Sequence, residues 1–162
     1  MTSTASREAL RVGDPAPAFD LVGDDGQRHT LSEFRGRHLI LYFYPRDNTP
    51  GCTQQACDFR DHHASLLGLP GGAAVVGVSP DTVESHRKFK QKFELPFLLL
   101  ADPEAEVAQR YGAWGEKNLY GKKSVGLIRS TFVIGPDGRL TAVYGKVAVK
   151  GHVDKVLSGL AA

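Results

Sequence analysis

Leu39-Ile-Leu-Tyr-Phe-Tyr44 predicts the central strand of the fold. It is followed directly by Pro45-Arg-Asp-Asn-Thr-Pro-Gly-Cys52. The first segment is continuously apolar and aromatic, which is typical of a strand buried on both faces of a sheet. Pro45 ends this strand, because proline lacks the N–H that a sheet ladder needs. A helix is predicted from Thr53 to Leu67, so Cys52 lies where the chain enters it. The sequence therefore predicts a strand–loop–helix unit with a thiol at the junction of the loop and the helix.

Strands and helices alternate after this unit. Apolar runs predict further strands over Ala73–Val78, Phe97–Ala101, Ser130–Ile134 and Arg139–Tyr144, and the helices between and after them are predicted to end near Phe93, Tyr111 and Leu160. A turn at Gly23–Gly26 predicts a small hairpin before the unit, from Ala18 to Leu31. Strands that alternate with helices form mainly parallel sheets, and the last hairpin adds antiparallel strands, so the sheet is predicted to be mixed.

The position of the thiol points to one fold class. Active sites in open α/β sheets lie at the carboxyl ends of strands, and a thiol between a strand and a helix is the thioredoxin-like arrangement. We therefore predict a thioredoxin-like three-layer α/β/α sandwich with a mixed central sheet and an N-terminal β-hairpin extension. The length fits one domain over residues 1–162, in which residues 1–11 form a flexible tail.

Two of the predicted helices carry further signals. After Cys52, the spacing of apolar residues predicts one buried helix face made of Ala56, Phe59, His63, Leu66 and Leu67. Asp102 followed by Pro103 predicts an N-cap with proline at the first helical position, opening the helix that ends near Tyr111.

Composition and charge exclude several classes of partner. The chain has 20 basic and 18 acidic residues, a net charge of +2, and this near balance argues against nucleic-acid and membrane-surface binding. No apolar run approaches the roughly 18 residues of a transmembrane helix, and Met1 to Arg11 lacks the apolar core of a secretory signal. Two cysteines in such a chain indicate a reducing compartment, so we expect a cytoplasmic protein.

The residues around Cys52 are those that activate a thiol. Unpaired amides and the positive end of the helix dipole favour an anion at this position. Gly51 allows close approach of the backbone, and the Thr49 hydroxyl is spaced to bond the sulfur or a substrate oxygen. Arg46 and Arg129 are candidates to stabilise the thiolate and to bind a polar oxygen substrate. The competing interpretation of Cys52 is an inert buried thiol.

Cys57 is the second cysteine of the chain, five residues after Cys52. In an intact helix the two Cα atoms lie roughly 8 to 9 Å apart, whereas a disulfide needs Cα atoms within about 7 Å. The pair can bond only if the first turns of the helix unwind. Our hypothesis is that Cys52 reacts first and that Cys57 resolves it after local unfolding; the alternative for Cys57 is a small core residue.

These residues carry a family resemblance. Pro45-x-x-x-Thr49-x-x-Cys52 resembles the active-site signature of the peroxiredoxins, and a cysteine five residues later resembles their Q-type branch, also called bacterioferritin comigratory proteins. The resemblance covers nearly the whole chain and extends to three further segments, Gly13–Phe19, Tyr111–Gly115 and Arg129–Ile134.

The resemblance implies a role for each motif residue. Cys52 would attack the terminal oxygen of hydrogen peroxide or an organic hydroperoxide and become a sulfenic acid. Thr49 and Arg129 would hold the peroxide oxygens and the thiolate, and Pro45 would shield the thiolate from water. Cys57 would form an intramolecular disulfide, which thioredoxin or a glutaredoxin would reduce. The resemblance further implies a monomer and no need for a metal, haem or flavin cofactor.

Two other functions compete with a peroxidase. A thiol–disulfide oxidoreductase on the same fold would use the cysteines for exchange, but their spacing is wrong for a C-x-x-C pair and leaves Thr49 without a clear role. A non-catalytic chaperone or binding module would not depend on Cys52, and no exposed apolar or charged tail supports it.

Several other residues have two interpretations. His62 and His63 could complete a zinc site with the cysteines, but the spacing fits zinc poorly, because Cys52 and Cys57 point to different helix faces. Trp114 is interpreted as a packing residue in a loop. The lysines of the loop from Lys117 to Lys123 are interpreted as a solvated face, with docking of an acidic reductant patch as the alternative.

Overall fold

Three parallel strands form the centre of the sheet in a computed structural model that describes residues 10–69, 72–119 and 121–161. They are β3 (His38–Phe43), β4 (Ala73–Ser79) and β5 (Leu98–Ala101), with β4 between the other two. β3 is the strand predicted from the apolar run, and its last five residues are buried. Its side chains alternate between two cores, one on each face of the sheet, as a strand covered on both faces requires.

Antiparallel strands extend this centre on both sides. β1 (Asp20–Gly23) pairs with β5 and with β2 (Arg28–Thr30), while β8 (Ser130–Ile134) pairs with β3 and with β9 (Leu140–Tyr144). The order across the sheet is β2-β1-β5-β4-β3-β8-β9. The predicted mixed sheet, the N-terminal hairpin and the C-terminal hairpin are all confirmed.

Helices cover the two faces unequally. The helices are α1 (Pro50–Asp61), α2 (His63–Leu67), α3 (Val83–Phe93), α4 (Glu106–Arg110) and α5 (His152–Ala161), with a 3-10 turn at Leu31–Phe34. Cys52, Phe59, Leu66, Phe89 and Val153, from α1, α2, α3 and α5, share one core. The opposite core receives Val107 and Ala108 from α4. This confirms the three layers of the predicted sandwich. Within the described ranges, every helix is too short or too polar to traverse a lipid bilayer.

The segment between β3 and α1, residues 44–49, is called the active-site loop below. The helix after it differs from the prediction at three points. It begins at Pro50 rather than Thr53, since proline suits the first helical position. It breaks at His62, which leaves helical geometry and separates α1 from α2. Ala56, Phe59 and Leu66 are buried as predicted, but Leu67 is 56% exposed. The predicted single amphipathic helix is therefore wrong in its C-terminal turn.

The prediction for Asp102 is partly confirmed. Its buried carboxylate accepts hydrogen bonds from the backbone N–H groups of Val107 at 3.3 Å and Ala108 at 3.0 Å. However, α4 begins at Glu106, and Ala105 occupies the N-cap position with a positive φ of 55°. Asp102 thus caps α4 from a position further before the helix in the sequence than a standard N-cap. Pro103 also lies before the helix rather than in its first turn.

A second small sheet was missed by the sequence analysis. β6 (Trp114–Leu119) and β7 (Lys122–Leu127) form a two-stranded antiparallel hairpin where a loop was predicted. Its glycines and lysines are weak strand formers, so the segment lacks a strand pattern. Trp114 is 36% exposed and pairs with Leu127, which is buried in the core. The packing role of Trp114 stays a prediction, because its side chain is among the exposed large apolar ones. Lys122 and Lys123 are exposed on the hairpin.

His152 makes the stability of this fold pH-dependent. Its Nε2 lies 2.8 Å from the Thr131 hydroxyl, and burial, then Lys155 and Arg129, lower the pKa of His152 from 6.5 to about 4. As pH falls below 6.5 the unfolded chain takes up a proton at this ring before the folded chain does, so the folded state loses stability down to pH of about 4. We expect His152→Gln to remove part of this loss. Thermal melts of both proteins between pH 7 and 4 test this, and an equal decline in both would contradict it.

Candidate active site

Cys52 lies in the first turn of α1, directly after the loop that leaves the carboxyl end of β3. Pro50 is the first residue of the helix and Thr49 is its N-cap. Cys52 is 1% exposed and belongs to the core beneath α1. The sulfur is therefore buried, and a protein surface cannot reach it while the helix is intact.

Arg129 is the residue that contacts the sulfur. Its Nη2 donates a hydrogen bond to Sγ of Cys52 at 3.1 Å. The register of β8 explains the contact, because Ser130 pairs with Phe43 at the end of β3 and so places Arg129 beside the active-site loop. A guanidinium donor close to a sulfur at a helix start is the kind of environment that activates cysteine.

The guanidinium of Arg129 is held by Gln55 on one nitrogen and has space beside Gly51 on the other. The Oε1 atom of Gln55, which is fully buried, accepts a hydrogen bond from Nη1 of Arg129 at 2.6 Å. Gly51 leaves room for the other end, since a Cβ there would lie 3.3 Å from Nη2 of Arg129. The Nε2 donor of Gln55 has no hydrogen-bond partner among the described residues. Arg129 is thus held in a forked arrangement, with Gln55 on one nitrogen and the reactive sulfur on the other.

Thr49 and Pro45 border the site in the loop before α1, and both are half-buried. The Thr49 hydroxyl donates to the carbonyl of Arg46 at 3.0 Å rather than to the sulfur of Cys52. Its oxygen lone pairs can still accept a hydrogen bond from a ligand. The roles of Thr49 in binding a substrate oxygen and of Pro45 in shielding the sulfur stay predictions.

Cys57 lies on the same unbroken helix as Cys52, and both thiols are free. This is the arrangement that the helix spacing predicted for the reduced protein. Cys57 is half-buried, and burial raises the pKa of its thiol above the ordinary value. In the folded helix Cys57 is consequently protonated and a weak nucleophile.

A network of buried polar side chains holds the loop before α1. Asp47 is the centre of this network, and its carboxylate accepts from three neighbours. The contacts are Tyr44 Oη to Oδ1 at 2.5 Å, Ser85 Oγ to Oδ2 at 2.8 Å, and His86 Nδ1 to Oδ2 at 2.7 Å. The backbone N–H of Asp47 donates to Asp81 at 2.7 Å. The sequence analysis did not find this network.

The candidate zinc site gains no support from the structure. Among the described residues, the side chains close enough to share a metal ion are Asp47, Asp81 and His86, and neither the cysteines nor the two predicted histidines join them. Hydrogen bonds already use both ring nitrogens of His86, both carboxylate oxygens of Asp47 and Oδ2 of Asp81. His62 instead lies 3.4 Å from Asp154 of α5.

The overlooked residues differ in how much signal they gave. Gln55 follows Cys52 by three residues, so helical spacing alone places both on one face, and a glutamine on a buried face was a usable signal. His86 precedes Phe89 by three residues on the inner face of α3, where a histidine looks like ordinary core. Asp47 lies in a loop, where an acidic residue is expected to be solvated.

Comparison with known proteins gives consistent matches along the chain. The model of the AhpC/TSA family matches residues 12–143. Peroxiredoxin Bcp of Bacillus subtilis is 48% identical over 151 residues, which cover 93% of this chain and 95% of that protein.

Solved structures agree with this match. A cysteine-to-serine mutant of PrxQ from Xylella fastidiosa has a TM-score of 0.87 and 33% identity, over 95% of this chain and 97% of that one. The bacterioferritin comigratory protein of Xanthomonas campestris, described for its alkyl peroxide reduction activity, has a TM-score of 0.84 and 36% identity, over 95% and 98% of the two chains. The likeness therefore extends over nearly the whole chain.

Proposed function

Since this chain belongs to the AhpC/TSA family, as a peroxiredoxin of the Bcp or PrxQ type and hence a thiol peroxidase, we propose a specific catalytic cycle for it. Cys52 reduces hydrogen peroxide and organic hydroperoxides, and Cys57 resolves the oxidised sulfur. The observation that carries this proposal is the hydrogen bond of 3.1 Å from Arg129 to the sulfur of Cys52. It joins a buried thiol to a fixed positive charge at the start of a helix.

In the first step the Cys52 thiolate attacks the terminal oxygen of the hydroperoxide. The O–O bond breaks, the sulfur gains that oxygen as a sulfenic acid, and the leaving alkoxide or hydroxide takes up a proton. Arg129 faces the sulfur, and Thr49 can accept from the peroxide O–H. Donors fixed in advance stabilise the charge that develops on the two oxygens. Burial of Cys52 favours small peroxides over protein disulfides, which supports a peroxidase rather than the alternative oxidoreductase.

In the second step Cys57 attacks the sulfenic sulfur, a disulfide forms and water leaves. The first turns of α1 must unwind for this, because the intact helix separates the two Cα atoms by roughly 8 to 9 Å. Unwinding also moves Cys57 towards water, which removes the burial that raises the pKa of its thiol. The helix therefore keeps the resolving thiol inactive until Cys52 has reacted.

The remaining step needs a dithiol reductant. A thioredoxin or a glutaredoxin would attack the disulfide by thiol exchange and return both cysteines to thiols. We propose that the chain works as a monomer in the cytoplasm, since the intramolecular pair needs no second copy and a reducing compartment regenerates both thiols.

Mass spectrometry after one equivalent of peroxide tests the cycle. We expect wild type to lose two hydrogens and to yield a peptide that links Cys52 with Cys57. In Cys57→Ser we expect one added oxygen on Cys52 and no link, because the sulfenic acid has no partner.

The same variant gives a kinetic prediction. We expect Cys57→Ser to consume the first equivalent of peroxide at the wild-type rate and to lose at least about tenfold in steady-state turnover with thioredoxin, because the sulfenic acid then waits for an external thiol. Stopped-flow mixing and a coupled turnover assay measure the two rates. Turnover of Cys57→Ser at the wild-type rate would overturn the resolving role while leaving the first step intact.

A further inference from the structure

His86 is a buried histidine whose role the catalytic cycle does not explain. Its side chain is fully buried on α3, and its Nδ1 lies 2.7 Å from a carboxylate oxygen of Asp47, itself almost fully buried. Asp47 stands between Pro45 and Thr49 in the active-site loop. A buried polar pair at this place needs a reason, because burying charged groups is unfavourable unless they are paired and hydrogen-bonded.

The hydrogen bonds determine where the protons lie. Nε2 of His86 is 2.9 Å from the carbonyl oxygen of Leu100, which can only accept, so Nε2 carries a proton. Nδ1 faces the carboxylate of Asp47, which also accepts from the hydroxyls of Tyr44 and Ser85. One hydroxyl donates to each oxygen of this carboxylate, which satisfies it as an anion. A ring nitrogen 2.7 Å from an anionic oxygen must carry a proton, because two lone pairs at that distance repel each other, so Nδ1 donates as well. His86 is then an imidazolium that pairs with an aspartate anion.

The pair acts on a tightly turned loop. Asn48, next to Asp47, has a φ of 61°, in the left-handed region that asparagine adopts more readily than other non-glycine residues. Asp47 is held through its side chain by His86 and through its backbone N–H by Asp81 at 2.7 Å. The loop is therefore anchored through both the side chain and the backbone of Asp47.

All of the anchoring groups lie outside α1. Ser85 and His86 belong to α3, Asp81 precedes it, and the Leu100 carbonyl belongs to β5. The unwinding of α1 that brings the two cysteines together leaves these elements in place. A fixed anchor at Asp47 would confine the movement to residues after Thr49.

We propose that His86, as an imidazolium paired with Asp47, is a positioning residue for the peroxide step: it holds the loop that carries Pro45 and Thr49 while α1 unwinds beyond it. The kinetic part of this inference rests on the proposed function. The protonation state and the anchoring do not, so they are tested separately.

Nitrogen NMR of the reduced wild-type protein, labelled with ¹⁵N in its histidine rings, tests the protonation state. At pH 7 we expect the His86 signals, assigned by comparison with His86→Gln, to show a proton on both ring nitrogens. A neutral ring with one protonated nitrogen would overturn the proposal. This measurement needs no peroxide, and the variant enters it only to assign the signals.

Single-turnover kinetics test the positioning role. In His86→Gln we expect the rate of peroxide consumption by Cys52 to fall about tenfold or more, because small errors in position are costly in such steps. We expect the later rate of disulfide formation not to fall, because the anchor lies outside the unwinding segment. Ser85→Ala removes one of the three donors to Asp47, and we expect it to slow the same step by a smaller factor. It replaces His86→Gln in this test if that variant does not fold.

Asp24→Asn is the matched control. Asp24 and Asp47 are both 7% exposed, but Asp24 accepts from the backbone of Leu99 and pairs with Lys90, and none of these contacts involves the loop from Pro45 to Thr49. We expect this control to lose thermal stability and to keep the wild-type rate of the peroxide step. An unchanged peroxide rate in the His86 and Ser85 variants, or equal slowing of both steps, would overturn the inference with the proposed function intact. A wild type that consumes no peroxide would defeat the proposed function instead.

Discussion

Cys52→Ser is expected to lose peroxide consumption by on the order of 10⁴-fold or more. A serine hydroxyl is protonated at neutral pH and is a far weaker nucleophile than a thiolate, so the O–O bond is not attacked. The fold should survive, because serine is smaller than cysteine and its oxygen can accept the hydrogen bond that Arg129 now donates to the sulfur at 3.1 Å. Stopped-flow mixing of the reduced variant with hydrogen peroxide and with an alkyl hydroperoxide measures the loss.

Cys57→Ser is the matched control for this variant. It removes the other thiol from the same helix and should keep the first step, so a loss confined to Cys52→Ser identifies the attacking sulfur. If Cys52→Ser still consumed one peroxide per chain, the reactive group would lie elsewhere and the proposed cycle would fail at its first step.

Arg129→Met is expected to lower the second-order rate of peroxide consumption by about 10² to 10³-fold, the size of effect seen when one fixed donor is removed from a charged transition state. Methionine fills much of the same volume without charge, so the change tests the guanidinium rather than the packing. Arg129→Lys should recover only part of the loss. A single ammonium cannot contact both Gln55 and the sulfur of Cys52 in the fixed geometry that the forked guanidinium provides.

Arg139→Met is the control for losing an arginine. Arg139 donates to the carbonyl of Gly13 at 2.9 Å on the exposed side of the fold, and its loss should leave the peroxide rate unchanged. Thermal melts of all three variants separate a loss of folded protein from a loss of rate. A wild-type rate in Arg129→Met would show that the contact with the sulfur is not used in catalysis.

The parts of the fold that were predictable are those where burial dominates the sequence pattern. Leu39 to Tyr44 is apolar because both faces of β3 are covered, and its length, its aromatic residues and the proline after it favoured a strand. The hairpins at both ends were marked by turn residues. The β6–β7 hairpin gave no such pattern, because its strands contain glycine and lysine and the first four residues of β7 are all exposed.

The site was predictable where a residue type carries chemistry at a fixed spacing, as Cys52, Cys57 and Thr49 do. Arg129 lies 77 residues from Cys52 in the chain. The residue types alone made it one of two candidates, with Arg46, and the family resemblance favoured Arg129 before the structure showed the contact. Asp47 and His86 meet because the loop packs against α3, and no local pattern in the sequence encodes that tertiary contact. The break at His62 was missed because the apolar spacing of α2 continues that of α1.

The burial of Cys52 in the same core as Phe59 and Leu66 links the durability of the enzyme to its speed. In the proposed cycle each turnover opens part of that core, so a substitution that packs it more tightly would prolong the lifetime of the sulfenic acid. A sulfenic acid that waits longer is more exposed to a second peroxide, which converts it to sulfinic acid and ends catalysis. A substitution that raises thermal stability through this core would thus lower the tolerance of the enzyme to excess peroxide.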